Sequence, residues 1–175
     1  MNKIVEGKSL YLRKLESMDL DRTWEWLHRP DINSKIGVRI PFTKEQQKQW
    51  FAQLQNDKSK IVFAICHNCD DGHIGNVSLD MIDFRHRNAR FSIFIADYSQ
   101  RSKGFGTESL TLLEHYAFAK LNLHKIWCKT DANDPKILDF YKKLGFQQEG
   151  LFKEHEVKEG RFIDKVIFAK FEPEG

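Results

Sequence analysis

The segment Arg-Ser-Lys-Gly-Phe-Gly, at residues 101–106, most constrains how this chain can fold. It lies between an apolar run at residues 91–96 and an amphipathic segment at residues 107–121, which predict a strand and a helix. Glycines at 104 and 106 permit tight turns without a Cβ, so that several backbone N–H groups can converge on an anion at the positive start of the helix. The segment therefore predicts an anion-binding loop between a strand and a helix.

The glycine spacing differs from that of the common nucleotide loops. It lacks the third glycine of the dinucleotide motif G-x-G-x-x-G and the G-K-[ST] of the NTPase P-loop. It resembles the R/Q-x-x-G-x-G/A loop with which the GNAT superfamily of N-acetyltransferases holds the pyrophosphate of acetyl-CoA. This resemblance implies acetyl-CoA as cosubstrate and no metal. The residues that it implies for acetyl-CoA binding are Phe94, Ile95, Ala96, Arg101, Ser102, Lys103, Gly104, Phe105, Gly106, Thr107, Asn133 and Lys136.

The hydrophobic periodicity predicts a mixed α/β chain. With 175 residues, 41% of them hydrophobic, the chain can bury one core and is interpreted as a single domain over residues 1–175. The predicted order is β-α-α-β-β-β-α-β-α-β-β. Strands are predicted at residues 9–15, 60–66, 73–82, 89–96, 125–130, 146–151 and 162–171. Helices are predicted at residues 19–28, 43–54, 107–121 and 134–144, with residues 29–42 as a long connection.

The resemblance to the GNAT superfamily extends over residues 73–151. The strand before the glycine loop, the segment 125–133 and the segment Phe-Tyr-Lys-Lys-Leu-Gly-Phe at 140–146 occur in the order and spacing of that family. The chain is most similar to the branch that contains ribosomal-protein alanine, spermidine and nucleotide-linked amino-sugar acetyltransferases. The resemblance implies a mostly antiparallel twisted sheet, flanked by helices and splayed between its fourth and fifth predicted strands.

Acetyl transfer to an amine requires groups that move protons. An ordinary primary amine has a pKa near ~10 and must lose a proton before it can attack a thioester. The resemblance assigns Tyr141 as the proton donor to the departing thiolate and a backbone N–H of the strand at 91–96 as the donor to the oxyanion. For the general base, Asp80, Asp83 and His86 remain open. The competing interpretation makes Tyr141 a core residue and the two aspartates parts of a hairpin.

The acceptor is predicted from the segment between the first two helices. Residues 28–41 hold three basic residues against Asp31 alone, which disfavours a polyamine and suits a nucleotide diphosphate. Arg29 and Arg39 are therefore predicted to bind the phosphate oxygens of a nucleotide-linked amino sugar, and Trp26 is predicted to stack on its base. A protein N-terminus, then a polyamine, are the alternatives, and a CoA-binding module without turnover is the alternative outside the enzymes.

Charge and cysteine content limit the other classes. The net charge of +3 arises from 28 basic and 25 acidic residues along the chain, too balanced for general nucleic-acid binding. The N-terminus lacks the apolar core of a secretory signal, and the longest apolar run, at residues 61–66, is too short to span a membrane. Cys66 and Cys69 have the spacing of half a zinc site, but no second pair follows. We expect a cytoplasmic monomer or homodimer.

Overall fold

The computed structural model describes residues 2–36, 40–96, 103–158 and 160–173. Three predicted site residues, Arg39, Arg101 and Ser102, lie outside the described residues.

The described residues form eight strands and five α-helices, and they confirm the mixed α/β class. The strands are β1 (Val5–Glu6), β2 (Leu10–Lys14), β3 (Ile61–His67), β4 (His73–Asp83), β5 (Asn88–Ile95), β6 (Lys125–Asp131), β7 (Gln147–Lys158) and β8 (Arg161–Phe171). The helices are α1 (Leu20–Leu27), α2 (Pro30–Ile36), α3 (Lys44–Leu54), α4 (Phe105–His115) and α5 (Pro135–Lys143). The strand order is β1-β2-β3-β4-β5-β6-β8-β7. The β5–β6 pair is parallel, whereas the β1–β2, β2–β3, β3–β4, β6–β8 and β7–β8 pairs are antiparallel.

The chain divides into two compact units. The first comprises Met1–Asp80 and Ser92–Glu114, and the second comprises Met81–Phe91 and His115–Gly175. In the first unit, alternate residues of β2 and β3 bury an apolar cluster with residues of the flanking helices. This cluster consists of Tyr11, Leu15, Leu20, Leu54, Val62, Ala64 and Cys66.

The second unit has its own core. The antiparallel strands β6, β8 and β7 and the helix α5 enclose buried residues that include Ile126, Phe146 and Phe168. The π-helical turn Tyr116–Lys120 follows α4 and leads to Leu123, which is fully buried.

Two helix boundaries differ from the prediction. Residues 30–36 form α2, where the sequence predicted a connection, because Pro30 begins a helix instead of only ending α1. Proline lacks an N–H and has a helical φ, so it is well suited to the first helical position. The helix α4 begins at Phe105, two residues before the predicted start, so Gly106 lies in its first turn.

Three further features of the described residues concern membrane-spanning helices, metal-ligand clusters and disulfides. Among the described residues, no helix is long and apolar enough to cross a membrane. Nor do three or more His, Cys, Asp or Glu side chains cluster there as metal ligands would. All three cysteines are free; Cys66 and Cys128 are buried, and Cys69 is exposed.

Candidate functional site

The first turn of α4 has the geometry of an anion-binding helix start. Gly104, which precedes the helix, has φ +84°, a conformation that side-chain-bearing residues rarely adopt. Its carbonyl accepts the first helical hydrogen bond, from Glu108 N at 2.9 Å. The earlier N–H groups of any α-helix have no intrahelical partner, and they carry the positive end of the dipole. Lys103 is exposed beside them. The described part of the loop therefore fits the diphosphate of acetyl-CoA.

Glu108, the acidic residue in the first turn of α4, binds elsewhere in the first unit. Its Oε1 accepts hydrogen bonds from the backbone N–H groups of Ser9 at 2.7 Å and Leu10 at 3.1 Å. A Cβ on Gly7 would lie only 2.6 Å from the same oxygen, so Gly7 leaves room for this contact. The Glu108 carboxylate therefore binds the backbone where β2 begins. Sequence reasoning missed this contact because it joins residues far apart in the chain.

The end of β5 is held closely against β4. Ala96 N donates to Ile74 O at 2.8 Å, and a Cβ on Gly75 would collide with the carbonyl oxygen of Phe94. The parallel ladder of β5 with β6 contains only the pairs from Asn88–Lys125 to Arg90–Trp127. The sheet therefore has a short parallel ladder between its fourth and fifth predicted strands, where the sequence implied a splay.

Trp26, a residue predicted to bind the acceptor, contacts Phe94, a residue predicted to bind acetyl-CoA. Its ring lies edge-on to Phe94, with centroids 6.2 Å apart, and edge-on to His73 at 4.8 Å. Trp24 points elsewhere, since its Nε1 donates to Phe42 O at 2.9 Å. The two tryptophans, two positions apart on α1, therefore diverge, as helical spacing requires. Trp24 has a structural role, and Trp26 is half-buried beside β5.

A buried polar cluster lies beside Trp26 in the first unit. The Arg13 guanidinium donates to both carboxylate oxygens of Asp19, at 2.6 and 2.7 Å. The Asp19 carboxylate also lies 3.2 Å from His73 Nδ1. Burial alone would raise the pKa of Asp19, but hydrogen bonds from Arg13, from His73 and from the Glu16 backbone hold it well below its usual range. Asp19 therefore stays ionised, and sequence reasoning did not identify this cluster.

Arg29, a predicted acceptor residue, is engaged by a neighbour. Its Nε and an Nη each donate to a carboxylate oxygen of Asp31 at 3.1 Å. Both residues lie at the start of α2, and the pair is partly exposed. This bidentate contact engages one of the three basic residues that the sequence places in this segment.

Tyr141, the predicted proton donor, is buried in the second unit. Its ring lies 5.6–5.9 Å from those of Phe91, Phe146 and Phe168. Burial, together with the neighbouring Cys128 thiol to which its hydroxyl is hydrogen-bonded, raises the pKa of Tyr141 well above 10. The phenol therefore keeps its proton at neutral pH. This protonation state suits a proton donor, while the aromatic surroundings also give Tyr141 a place in the core.

The remaining predicted residues lie in turns and at element ends. Asn133 is exposed in the turn before α5, and Lys136 is exposed in the first turn of that helix. Asp83 accepts a hydrogen bond from His86 N at 2.8 Å and so closes the β4–β5 turn. Asp80 is half-buried on β4. A catalytic role for either aspartate stays a prediction.

These features define an acyltransferase fold with a loop suited to a CoA diphosphate, and comparison with known proteins identifies the family. The model of the acetyltransferase (GNAT) domain matches residues 9–147. The chain therefore belongs to the GNAT family of N-acetyltransferases, whose members use acetyl-CoA.

Individual relatives cover nearly the whole chain. An uncharacterised N-acetyltransferase, p20, of Bacillus licheniformis is 30% identical over 91% of each chain. The spermidine N(1)-acetyltransferase of Escherichia coli K12 is 30% identical over 94% of this chain and 87% of its own. The structure of a spermidine N-acetyltransferase from Vibrio cholerae, in complex with CoA and spermine, has a TM-score of 0.86 at 28% identity, and the match covers 93% of this chain and 95% of that one.

Proposed function

We propose that this protein transfers the acetyl group of acetyl-CoA to a primary amine of a small molecule, and that the acceptor is a polyamine. The observation that carries the acetyl-CoA part is the first turn of α4, which begins on Gly104 at φ +84° beside Lys103. Backbone N–H groups there would hold the diphosphate, and Lys103 would add attraction without fixed geometry. Bound acetyl-CoA supplies a thioester that an amine can attack.

Other residues of the chain would handle protons and charge. Backbone N–H groups of β5 around Phe94 would donate to the oxyanion that forms during attack. Asp80 would take the proton of the amine, directly or through a water molecule. Tyr141, which remains protonated, would donate to the departing thiolate.

Two observations support a polyamine as the acceptor. The Escherichia coli relative and the Vibrio cholerae structure are both spermidine acetyltransferases by name. In addition, Arg29, one of the three basic residues of the segment after α1, is already paired with Asp31. A phosphate of a nucleotide-linked acceptor would have to compete with this carboxylate for Arg29.

A nucleotide-linked amino sugar is the second candidate. Residues 28–41 hold three basic residues and one acid, and an indole such as that of Trp26 can stack on a base. The two candidates have opposite charge, which makes them easy to separate by experiment.

The test is release of free CoA thiol from acetyl-CoA with spermidine, a nucleotide-linked 4-amino sugar, an alanine-start peptide, or no acceptor. We expect turnover with spermidine that greatly exceeds the rate without acceptor. Turnover with the amino sugar alone would replace the polyamine by the second candidate. Turnover with the peptide alone would indicate a protein N-terminus. A protein that binds acetyl-CoA but turns over none of the three acceptors would contradict the acceptor assignment.

A further inference from the structure

His73 is a buried histidine that the proposed chemistry does not use. Only 2% of its side chain is exposed, so it has no direct access to an acceptor amine. Oxygen atoms face both of its nitrogens. Nδ1 lies 3.2 Å from Asp19 Oδ1, whereas Nε2 lies 2.7 Å from Asn76 Oδ1 and 3.0 Å from Gly75 O. Arg13 fixes the Asp19 carboxylate through two hydrogen bonds, so the imidazole lies between an anchored carboxylate and oxygen atoms of Gly75 and Asn76.

The imidazole also contacts the one aromatic residue that we assign to acceptor binding. The rings of His73 and Trp26 lie 4.8 Å apart at an interplanar angle of 70°, an edge-on arrangement favourable to aromatic pairs. Trp26 is only half-buried, so solvent does not restrict its exposed part. The contacts of its buried part must therefore select its rotamer. A second ring contact of Trp26 among the described residues is with Phe94 on β5, at 6.2 Å between centroids. The indole therefore contacts both a buried imidazole and the strand assigned to acetyl-CoA.

The backbone next to His73 reinforces this arrangement. Gly75 O lies 3.0 Å from His73 Nε2, and Gly75 itself is so close to Phe94 that any side chain there would collide with the Phe94 carbonyl. Residues 73–75 of β4 thus contact both the imidazole and the backbone of β5 at Phe94, whose ring contacts Trp26.

We propose that His73 is a positioning residue that fixes the orientation of Trp26 for the amine acceptor, an inference that rests on the proposed function. Loss of the imidazole would remove one of the two ring contacts that the indole makes among the described residues. The binding of acceptor would then weaken, while acetyl-CoA binding and the chemical step would change little. His73→Gln is the first variant, since its amide can still bond Asp19 or Gly75 but offers no ring to Trp26.

A spectroscopic experiment tests the contact without any activity. The protein contains four tryptophans, so labelling with 5-fluorotryptophan gives four fluorine NMR signals, and Trp26→Phe identifies that of Trp26. We expect His73→Gln to shift or broaden this signal and to leave those of Trp50 and Trp127 unchanged. Thr23→Val is the matched control, because Thr23 is buried on the same helix and its hydroxyl has no partner among the described residues. An unchanged Trp26 signal in His73→Gln would overturn the proposal.

Kinetics then test the consequence. We expect His73→Gln to raise KM for the acceptor about tenfold, equivalent to about 1.4 kcal/mol, with kcat and the Kd of acetyl-CoA within about twofold. In a Trp26→Phe background the same change should have almost no further effect, because both substitutions remove one contact. Independent, multiplicative effects of the two substitutions, or a joint loss of kcat and acetyl-CoA binding, would mean a merely structural role.

Two outcomes need separate treatment. If His73→Gln does not fold, His73→Asn replaces it, since the shorter amide fits the same space and also lacks a ring. If the wild-type protein acetylates none of the acceptors, the proposed function has failed, and the NMR experiment still decides whether His73 orients Trp26.

Discussion

The helices α4 and α5 begin in opposite ways. The residue before α5 is Asp134, whose Oδ1 accepts from the backbone N–H groups of Lys136 at 3.1 Å and Ile137 at 3.3 Å. Its first residue, Pro135, has no N–H. The residue before α4 is Gly104, which has no side chain that could cap the helix, and Lys103 precedes it. Among the described residues, a carboxylate closes the start of α5, whereas none is hydrogen-bonded to the start of α4.

This difference separates a structural helix start from one suited to a ligand. At α5, the Asp134 carboxylate already offsets the positive end of the dipole, and a phosphate there would meet a negative charge. At α4, the first acidic side chain, Glu108, binds Ser9 and Leu10 instead. We therefore expect the α4 start to bind the diphosphate, while α5 contributes Tyr141. Any cofactor contact by Asn133 or Lys136 would come from their exposed side chains.

The largest expected effect concerns the contribution of α5. Tyr141→Phe should lower kcat about 100-fold or more, a typical loss for a general acid, and leave the Kd of acetyl-CoA within about twofold. Because the raised pKa keeps the phenol protonated, wild-type kcat should show no loss from this group until the pH exceeds ~10. Steady-state kinetics and calorimetry measure both quantities. Tyr116→Phe, at a half-buried tyrosine of the second unit, should behave as wild type, and an unchanged kcat in Tyr141→Phe would remove Tyr141 from the chemistry.

The next effect concerns the start of α4. Gly104→Asp would place a carboxylate there, as at α5, and should weaken acetyl-CoA binding about 30-fold through repulsion of the diphosphate. Gly104→Ala is the control for backbone strain at φ +84°, which costs about 1 kcal/mol of stability without adding charge. Titration calorimetry and thermal melts separate the two effects. Equal affinities for Gly104→Asp and Gly104→Ala would show that charge at this position does not matter.

A smaller effect is expected when the cap of α5 is removed. Asp134→Ala should destabilise the protein by about 1 kcal/mol, which lowers Tm by about 3 °C for a chain of this size. The Kd of acetyl-CoA should stay unchanged, since this helix start is structural. A tenfold weaker Kd without a change in Tm would mean that the two helix starts are not used differently.

The smallest effect is expected at Lys103. Lys103→Gln should weaken acetyl-CoA binding about threefold, because an exposed ammonium is hydrated and screened. The variant should also show a shallower dependence of Kd on salt concentration. Identical salt dependence in the variant and the wild type would exclude an electrostatic contribution from this side chain.

Local signals in the sequence predicted much of the fold. The Asp134 cap and the Thr43–Gln46 capping box act within a few residues, and both are present. The helix α2 was missed because Pro30 both ends one helix and begins another. The two-residue strand β1 was missed because it carries no periodicity of its own.

In the candidate site, too, local sequence signals predict some residues and not others. The glycine loop and Tyr141 lie in contiguous motifs, so the sequence indicated them. The contacts of Trp26 with His73 and of Glu108 with Ser9 join residues that are distant in sequence, and no local pattern specifies them. The acceptor inferred from the charge of residues 28–41 stays a prediction, and composition does not reveal that Arg29 pairs with Asp31.

Binding of acetyl-CoA and of S-acetylpantetheine, which lacks the diphosphate and nucleotide, tests the assignment of α4 most directly. Calorimetry should show that the wild-type protein binds acetyl-CoA about 100-fold more tightly, and that Gly104→Asp abolishes most of this advantage without changing the Kd of S-acetylpantetheine. If Gly104→Asp weakened both ligands equally, or preserved the full difference between them, the start of α4 would not be the diphosphate site.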